Sequence, residues 1–176
     1  MASVKKELRK EQYRLEILNT AEQVFARQGF HTTTMEAVAE ECGWSKGTLY
    51  LYFKSKEDLF FSILIEKLDQ FSTDLLYKLE KSQGIENKIK ALIDAQFLFF
   101  TENQSFFQLA LTEQGKVMHE SDSGLREELV NRQHLQINQI SEALGKDIPE
   151  TSKINASILT RSITGAINLH LITWIM

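Results

Sequence analysis

"GFHTTTMEAVAEECGWSKGTLYLYFKSKEDLF", residues 29–60, contains the starts of three helices in one short run. Met35, Val38, Ala39 and Cys42 recur at helical spacing, with Thr33 or Thr34 in position to cap and Gly43 to end the helix. If Thr33 is the cap, Glu36 completes a capping box. A third helix then runs from Lys46 to about Phe53, entered through Ser45, with Leu49 and Phe53 on its apolar side. Only Gly43 and Trp44 separate the end of one helix from the cap of the next, and two short helices joined by a glycine turn form a helix-turn-helix.

Upstream, Ile17, Leu18, Ala21, Val24 and Phe25 mark a first helix over about 5–28 that stops at Gly29. Downstream, Ser55 caps a fourth helix that carries Leu59, Phe60, Ile63, Leu68, Phe71 and Leu75 to about Lys81, long enough to connect two cores. A fifth begins at Gly84 and runs to about Phe100, and a sixth covers about Ser105 to Gln114. Gly115 to Gly124 reads as a loop, a seventh helix spans about Leu125 to Leu144, and an eighth runs from about Thr151 to the last residue. No strand pattern appears. The expected fold is all-α: a three-helix head over residues 1–56, joined by the connector helix to a helical bundle over 57–176.

Composition agrees with that expectation and limits the partners. Of 176 residues, 43% are hydrophobic and 25% charged, with a single proline and eight glycines, so the chain is globular and long helices are seldom broken. One cysteine excludes an internal disulfide framework, and no cysteine/histidine pair has zinc spacing. No apolar run has the length of a membrane span, and a soluble protein of the reducing cytoplasm is expected. Net charge is −4, but residues 1–56 hold nine Lys/Arg against seven Asp/Glu, while 57–176 hold eleven against seventeen. Only the head suits a polyanion.

Within the head, Lys46 and Lys56 each stand at a helix amino terminus, where the helix dipole disfavours a cation by about 0.3–1 kcal/mol. A phosphate bound there would reverse the sign of that effect, and the capping threonine together with Ser45 and Ser55 adds hydroxyl donors. Glu57 and Asp58 offer a local alternative at the fourth helix. Tyr50 and Tyr52 cannot both face a small core, so at least one presents its hydroxyl outward. Gly47 disfavours the helix by about 1 kcal/mol relative to alanine, and it allows another backbone to approach closely.

Gly29 to Phe60 resembles the DNA-binding domain of the TetR family of bacterial transcriptional regulators. The resemblance covers nearly all of the first 65 residues: a glycine, a Thr-Thr pair, the helix-turn-helix, then Gly-Thr-Leu-Tyr, Tyr-Phe and Lys-Ser-Lys-Glu. It implies that Thr34 touches the phosphate backbone and that Lys46, Gly47 and Thr48 face base edges in the major groove. It further implies that Tyr50 and Tyr52 contact the backbone and that Lys56 binds phosphate, with Leu49 and Phe53 in the core. Trp44 departs from the smaller aliphatic residue usual there and is expected to pack on helix one. Cys42 falls where a small apolar residue is usual and reads as a core thiol.

For the rest of the chain the resemblance implies a variable helical bundle that dimerises and holds an inducer. Phe97, Phe99, Phe100, Phe106 and Phe107, with Phe71, Leu75 and Met118, read either as core filling or as the lining of an apolar cavity, and the cluster as a whole is assigned to a cavity for an apolar or amphipathic ligand. On the last helix Ile158, Ser162, Gly165 and Leu169 are assigned to a dimer interface, which in the family includes one further helix, whereas this sequence ends at Met176. His31, His119, His134 and His170 are scattered and form neither a metal set nor a catalytic constellation, so neither an enzyme nor a cofactor is expected. The expected function is a homodimeric repressor on a near-palindromic operator, released by a small ligand. An activator of the same fold and a protein-binding adaptor that has lost operator binding are the alternatives.

Overall fold

The structure is a computed structural model that describes residues 2–110 and 123–175. All the regular structure among these residues is helical: α1 (Ala2–Gln28), α2 (Met35–Glu41), α3 (Lys46–Tyr50), α4 (Lys56–Lys81), α5 (Ile85–Glu102), α6 (described over 104–110), α7 (Ser123–Gly145) and α8 (Ala156–Ile175). The chain divides into two compact units, one of Met1–Ile65 with the described part of Leu109–Arg126, the other of Glu66–Gln108 with Glu127–Met176. The division falls within α4, at Ile65 and Glu66, where the sequence reading put a boundary at residue 56.

In the first unit, α1 turns its Ile17, Leu18, Ala21, Val24 and Phe25 fully inward. Phe25 packs on Phe30 of the following turn (5.6 Å between ring centroids) and on Phe60 of α4 (5.7 Å), and Phe30 meets Phe60 at 5.2 Å. This aromatic cluster seats the start of α4 against the α1–α2 turn. Gly43 leaves α2 at φ 70°, a left-handed conformation that disfavours any side chain, and the amide of Trp44 reaches back to the Ala39 carbonyl at 2.9 Å. Trp44 packs edge-on against Tyr13 of α1 at 5.1 Å, as expected.

Several boundaries differ from the sequence reading. Of the two threonines the sequence offered, Thr34 caps α2, accepting from the Ala37 amide, while Thr33 is buried and donates to the Gly29 carbonyl at 2.7 Å. The capping box with Glu36 therefore does not form. α3 closes at Tyr50, because the amides of both Tyr52 and Phe53 return to the Leu49 carbonyl and tighten the last turn. α8 begins at Ala156 rather than Thr151: the Asn155 side chain accepts from the Ile158 amide, and before it the Ser152 amide closes a turn on the Pro149 carbonyl at 2.8 Å. α7 already includes Ser123 and Gly124; the rest of the expected loop, with the end of the expected sixth helix, lies outside the described residues.

In the second unit, Phe71, Leu75 and Leu79 of α4 form one core with Leu92 and Ala95 of α5 and Ile140 and Leu144 of α7, and Ile163 of α8 packs against it. Lys88, only 6% exposed, extends its ammonium to the Ala143 carbonyl at 2.9 Å and to the Asp147 carboxylate at 2.8 Å. A cation is favoured there because the carboxyl end of α7 is partially negative. The clamp ties the first turn of α5 to the carboxyl end of α7, and Leu92 shares the core with Ile140 and Leu144.

Candidate nucleic-acid interface and ligand site

The head gathers the predicted DNA-contacting residues around α3. Ser45 caps this helix, accepting from the Thr48 amide, and its hydroxyl also bonds the Thr48 hydroxyl at 2.8 Å. Ser45, Lys46, Gly47 and Tyr50 are exposed, Thr48 and Tyr52 half-buried, and Leu49 fully buried beneath them. Thr34 is exposed at the start of α2. An exposed, capped, short helix with small residues next to a lysine and a tyrosine is the arrangement a major groove accepts.

The two lysines have partners within the chain. Lys46 pairs with Glu36 of α2 and lies 5.7 Å from the Tyr50 ring centre. That pairing holds the Glu36 carboxyl below its ordinary range and raises the Lys46 ammonium. The Lys56 ammonium donates to the carbonyls of Phe30 (2.7 Å) and His31 (3.2 Å) and sits 4.4 Å above the Phe30 ring. Neither lysine therefore stands against its helix dipole unaided: each has an internal partner, Glu36 for Lys46 and two carbonyls of the α1–α2 turn for Lys56. At α4 the Ser55 hydroxyl accepts from the Asp58 amide, and the Asp58 carboxylate accepts from the Lys54 amide at 2.7 Å, so that helix has its cap in place. Cys42 is half-buried at the end of α2, and burial pushes its thiol up, away from reactivity.

In the second unit, three helices contribute to one aromatic stack. Phe71 of α4 stacks on Phe99 of α5 (4.7 Å), Phe99 meets Phe107 of α6 (5.5 Å), and Phe107 stacks on Phe100 (4.4 Å). Leu75 is buried one turn along α4, and Phe106 is buried with the Lys67 ammonium 5.5 Å from its ring. Phe97 points away from the stack and is 45% exposed. Met118 lies outside the described residues. A separate open groove of about 380 Å³ follows the outer face of α4, lined by Glu66, Asp69, Gln70, Thr73 and Asp74, with Asp69 paired to Arg132 of α7 at 2.5 Å. Its lining is acidic and contains none of the phenylalanines. No group of three metal-ligating side chains occurs among the described residues, nor is any described helix long and apolar enough to cross a membrane.

On α8, Ile158, Ser162, Gly165 and Leu169 form one exposed stripe, with Ile158 67% and Leu169 63% exposed, while Thr160, Ile167 and Leu171 face inward. A helix with apolar residues on both faces leaves one of them uncovered in a single chain.

Residues 17–63 match the sequence model of the bacterial regulatory proteins, tetR family. This segment of the head is a TetR-family domain. Among TetR relatives, the fatty acid metabolism regulator protein of Bacillus subtilis is 25% identical over 165 residues, covering 92% of this chain and 83% of that protein. The uncharacterized HTH-type transcriptional regulator YerO of Bacillus subtilis is 38% identical over 104 residues, but the match covers 55% of this chain and only 34% of YerO, so the chain aligns with about a third of that relative's length. The TetR-type fold also matches the crystal structure of the transcriptional regulator FadR from Bacillus subtilis in complex with stearoyl-CoA, with a TM-score of 0.73, 23% identity, and coverage of 92% of this chain and 87% of that one.

Sequence reasoning assigned Thr34, Ser45, Lys46, Gly47, Thr48, Tyr50, Tyr52 and Lys56 to DNA contacts but missed Glu36 as the partner of Lys46. The signal was present: Glu36 lies in the first turn of α2 and Lys46 in the first of α3, and a tight turn between them brings the two helix starts together.

Proposed function

We propose that this chain is a homodimeric, cytoplasmic transcriptional repressor that binds a near-palindromic duplex operator through its helix-turn-helix head and is released by an acyl-CoA. The observation that carries the DNA-binding reading is the exposed α3, with Lys46, Gly47 and Thr48 on a helix whose Leu49 is locked in the core. On DNA, a phosphate or guanine edge takes Lys46 from Glu36, while Thr34, Tyr50, Tyr52 and Lys56 set the register on the backbone. Each phosphate neutralised releases counterions, so affinity falls with salt.

The ligand class is supported by the aromatic stack of Phe71, Phe99, Phe100 and Phe107, a surface suited to an acyl tail. The fatty acid regulator and the stearoyl-CoA complex among its relatives support it independently. α4 carries Phe60 in the core of the head and Phe71 in the stack, so a ligand that favours one setting of this helix shifts the population of DNA-competent dimers. Dimerisation through the α8 stripe accounts for its exposed Ile158 and Leu169. Repeated selection from a pool of random duplexes tests the reading: a palindromic consensus with spacing near one helical turn is expected. A folded chain that enriches no sequence, or enriches only a protein partner, contradicts it.

A further inference from the structure

Two buried glutamines in the second unit carry polar atoms without hydrogen-bond partners among the described residues: Gln96 Oε1 on α5 and Gln136 Nε2 on α7. The side chains are 6% and 9% exposed. Leaving such an atom dry and unpaired costs about 1–3 kcal/mol, so an uncompensated pair in a native core calls for a reason.

Their placement supplies one. Lys88 touches Ala143, and Leu92 shares a core with Ile140 and Leu144. One further turn along α5 reaches Gln96, and one turn back along α7 reaches Gln136, so the Lys88 tie and the shared core bring the two amides toward the same level. Beyond them on α5 lies Phe99 of the aromatic stack. The two amides thus form a polar layer between an aliphatic core and an aromatic wall. Exchanging oxygen and nitrogen in either amide leaves a buried polar atom in the same place.

Resting on the ligand reading above, we infer that Gln96 and Gln136 are the polar contact of the ligand site. Gln136 donates to, and Gln96 accepts from, a ligand group that both accepts and donates, adjacent to an apolar tail. A secondary amide of the pantetheine arm of an acyl-CoA has that chemistry; a bare hydrocarbon does not.

The test uses the full chain with stearoyl-CoA as probe, titrated by calorimetry into the natural sequence and into Gln96→Leu and Gln136→Leu, with thermal melts of each without ligand. Leucine removes the buried polar atom while keeping bulk. The expected result is an affinity lower by about tenfold in either variant, as for one lost hydrogen bond in a dry site, with melting temperature unchanged or raised. Equal affinity in all three chains overturns the inference and leaves the ligand reading standing. No binding by the natural sequence overturns both. A lowered melting temperature in both variants means the amides bond each other in the free chain and also overturns the inference.

Discussion

Glu36 and Lys46 form an internal pair, which DNA has to open if Lys46 reads it as proposed. Both side chains are more than half exposed, so the pair adds little to stability, and the proposed function gives it a role in recognition instead. Because the partner lowers the Glu36 pKa, the pair is intact above the ordinary glutamate range and is lost as pH falls through the depressed folded value. In Lys46→Ala the Glu36 carboxyl should titrate higher, back toward its usual range, as followed by carbon-detected NMR; an unmoved titration would break the assignment. Glu36→Gln should tighten binding to random duplexes severalfold, measured by fluorescence anisotropy, by removing the internal competitor. Lys56 differs, because its ammonium also ties two carbonyls of the α1–α2 turn. Lys56→Ala should lower stability by about 1–2 kcal/mol in urea melts and, separately, reduce the salt slope of DNA binding by about one. The residue types at these positions were legible in the sequence. The partners of both lysines were not, because ion pairs and carbonyl contacts between different helices depend on how the chain folds back.

At the scale of the element, caps and glycines decided the head. Thr34, Ser45 and Ser55 each hold an amide of their helix's first turn, and Gly43 makes the turn at φ 70°. Gly43→Ala should cost about 1–2 kcal/mol in the same melts, and an unaltered midpoint would remove the left-handed turn from the account. Helix periods were readable because apolar residues at three- and four-residue spacing are buried together, as Ile17, Leu18, Ala21, Val24 and Phe25 are. Ends were less readable. Two adjacent threonines both qualify as caps, and only tertiary packing assigns Thr33 to the core and Thr34 to the cap. Asn155 was passed over because Pro149 suggested an earlier helix start at Thr151, although a proline followed by several polar residues equally permits a turn. That the buried amides of Gln96 and Gln136 lack partners was not readable, because it depends on how the helices pack against one another.

At the scale of the whole molecule, affinity for a palindrome requires two heads held at a fixed spacing. The exposed α8 stripe supplies the surface this account gives to that task. Leu169→Glu should convert the dimer to monomer in sedimentation velocity and weaken operator binding by well over tenfold while leaving helicity unchanged. A Leu169→Glu dimer with undiminished affinity would move the interface elsewhere. The division of labour was legible from charge asymmetry and from the contrast between a motif-rich head and a motif-poor bundle. The ligand was not, because an aromatic cluster fills a core or lines a cavity with the same residues. The most direct measurement is titration of the selected duplex with the full chain at several salt concentrations, with and without stearoyl-CoA. The account predicts nanomolar-range affinity, a steep fall with salt, and release by stearoyl-CoA at stoichiometric amounts. A complex that is insensitive to salt, or that stearoyl-CoA leaves intact at saturation, would contradict it.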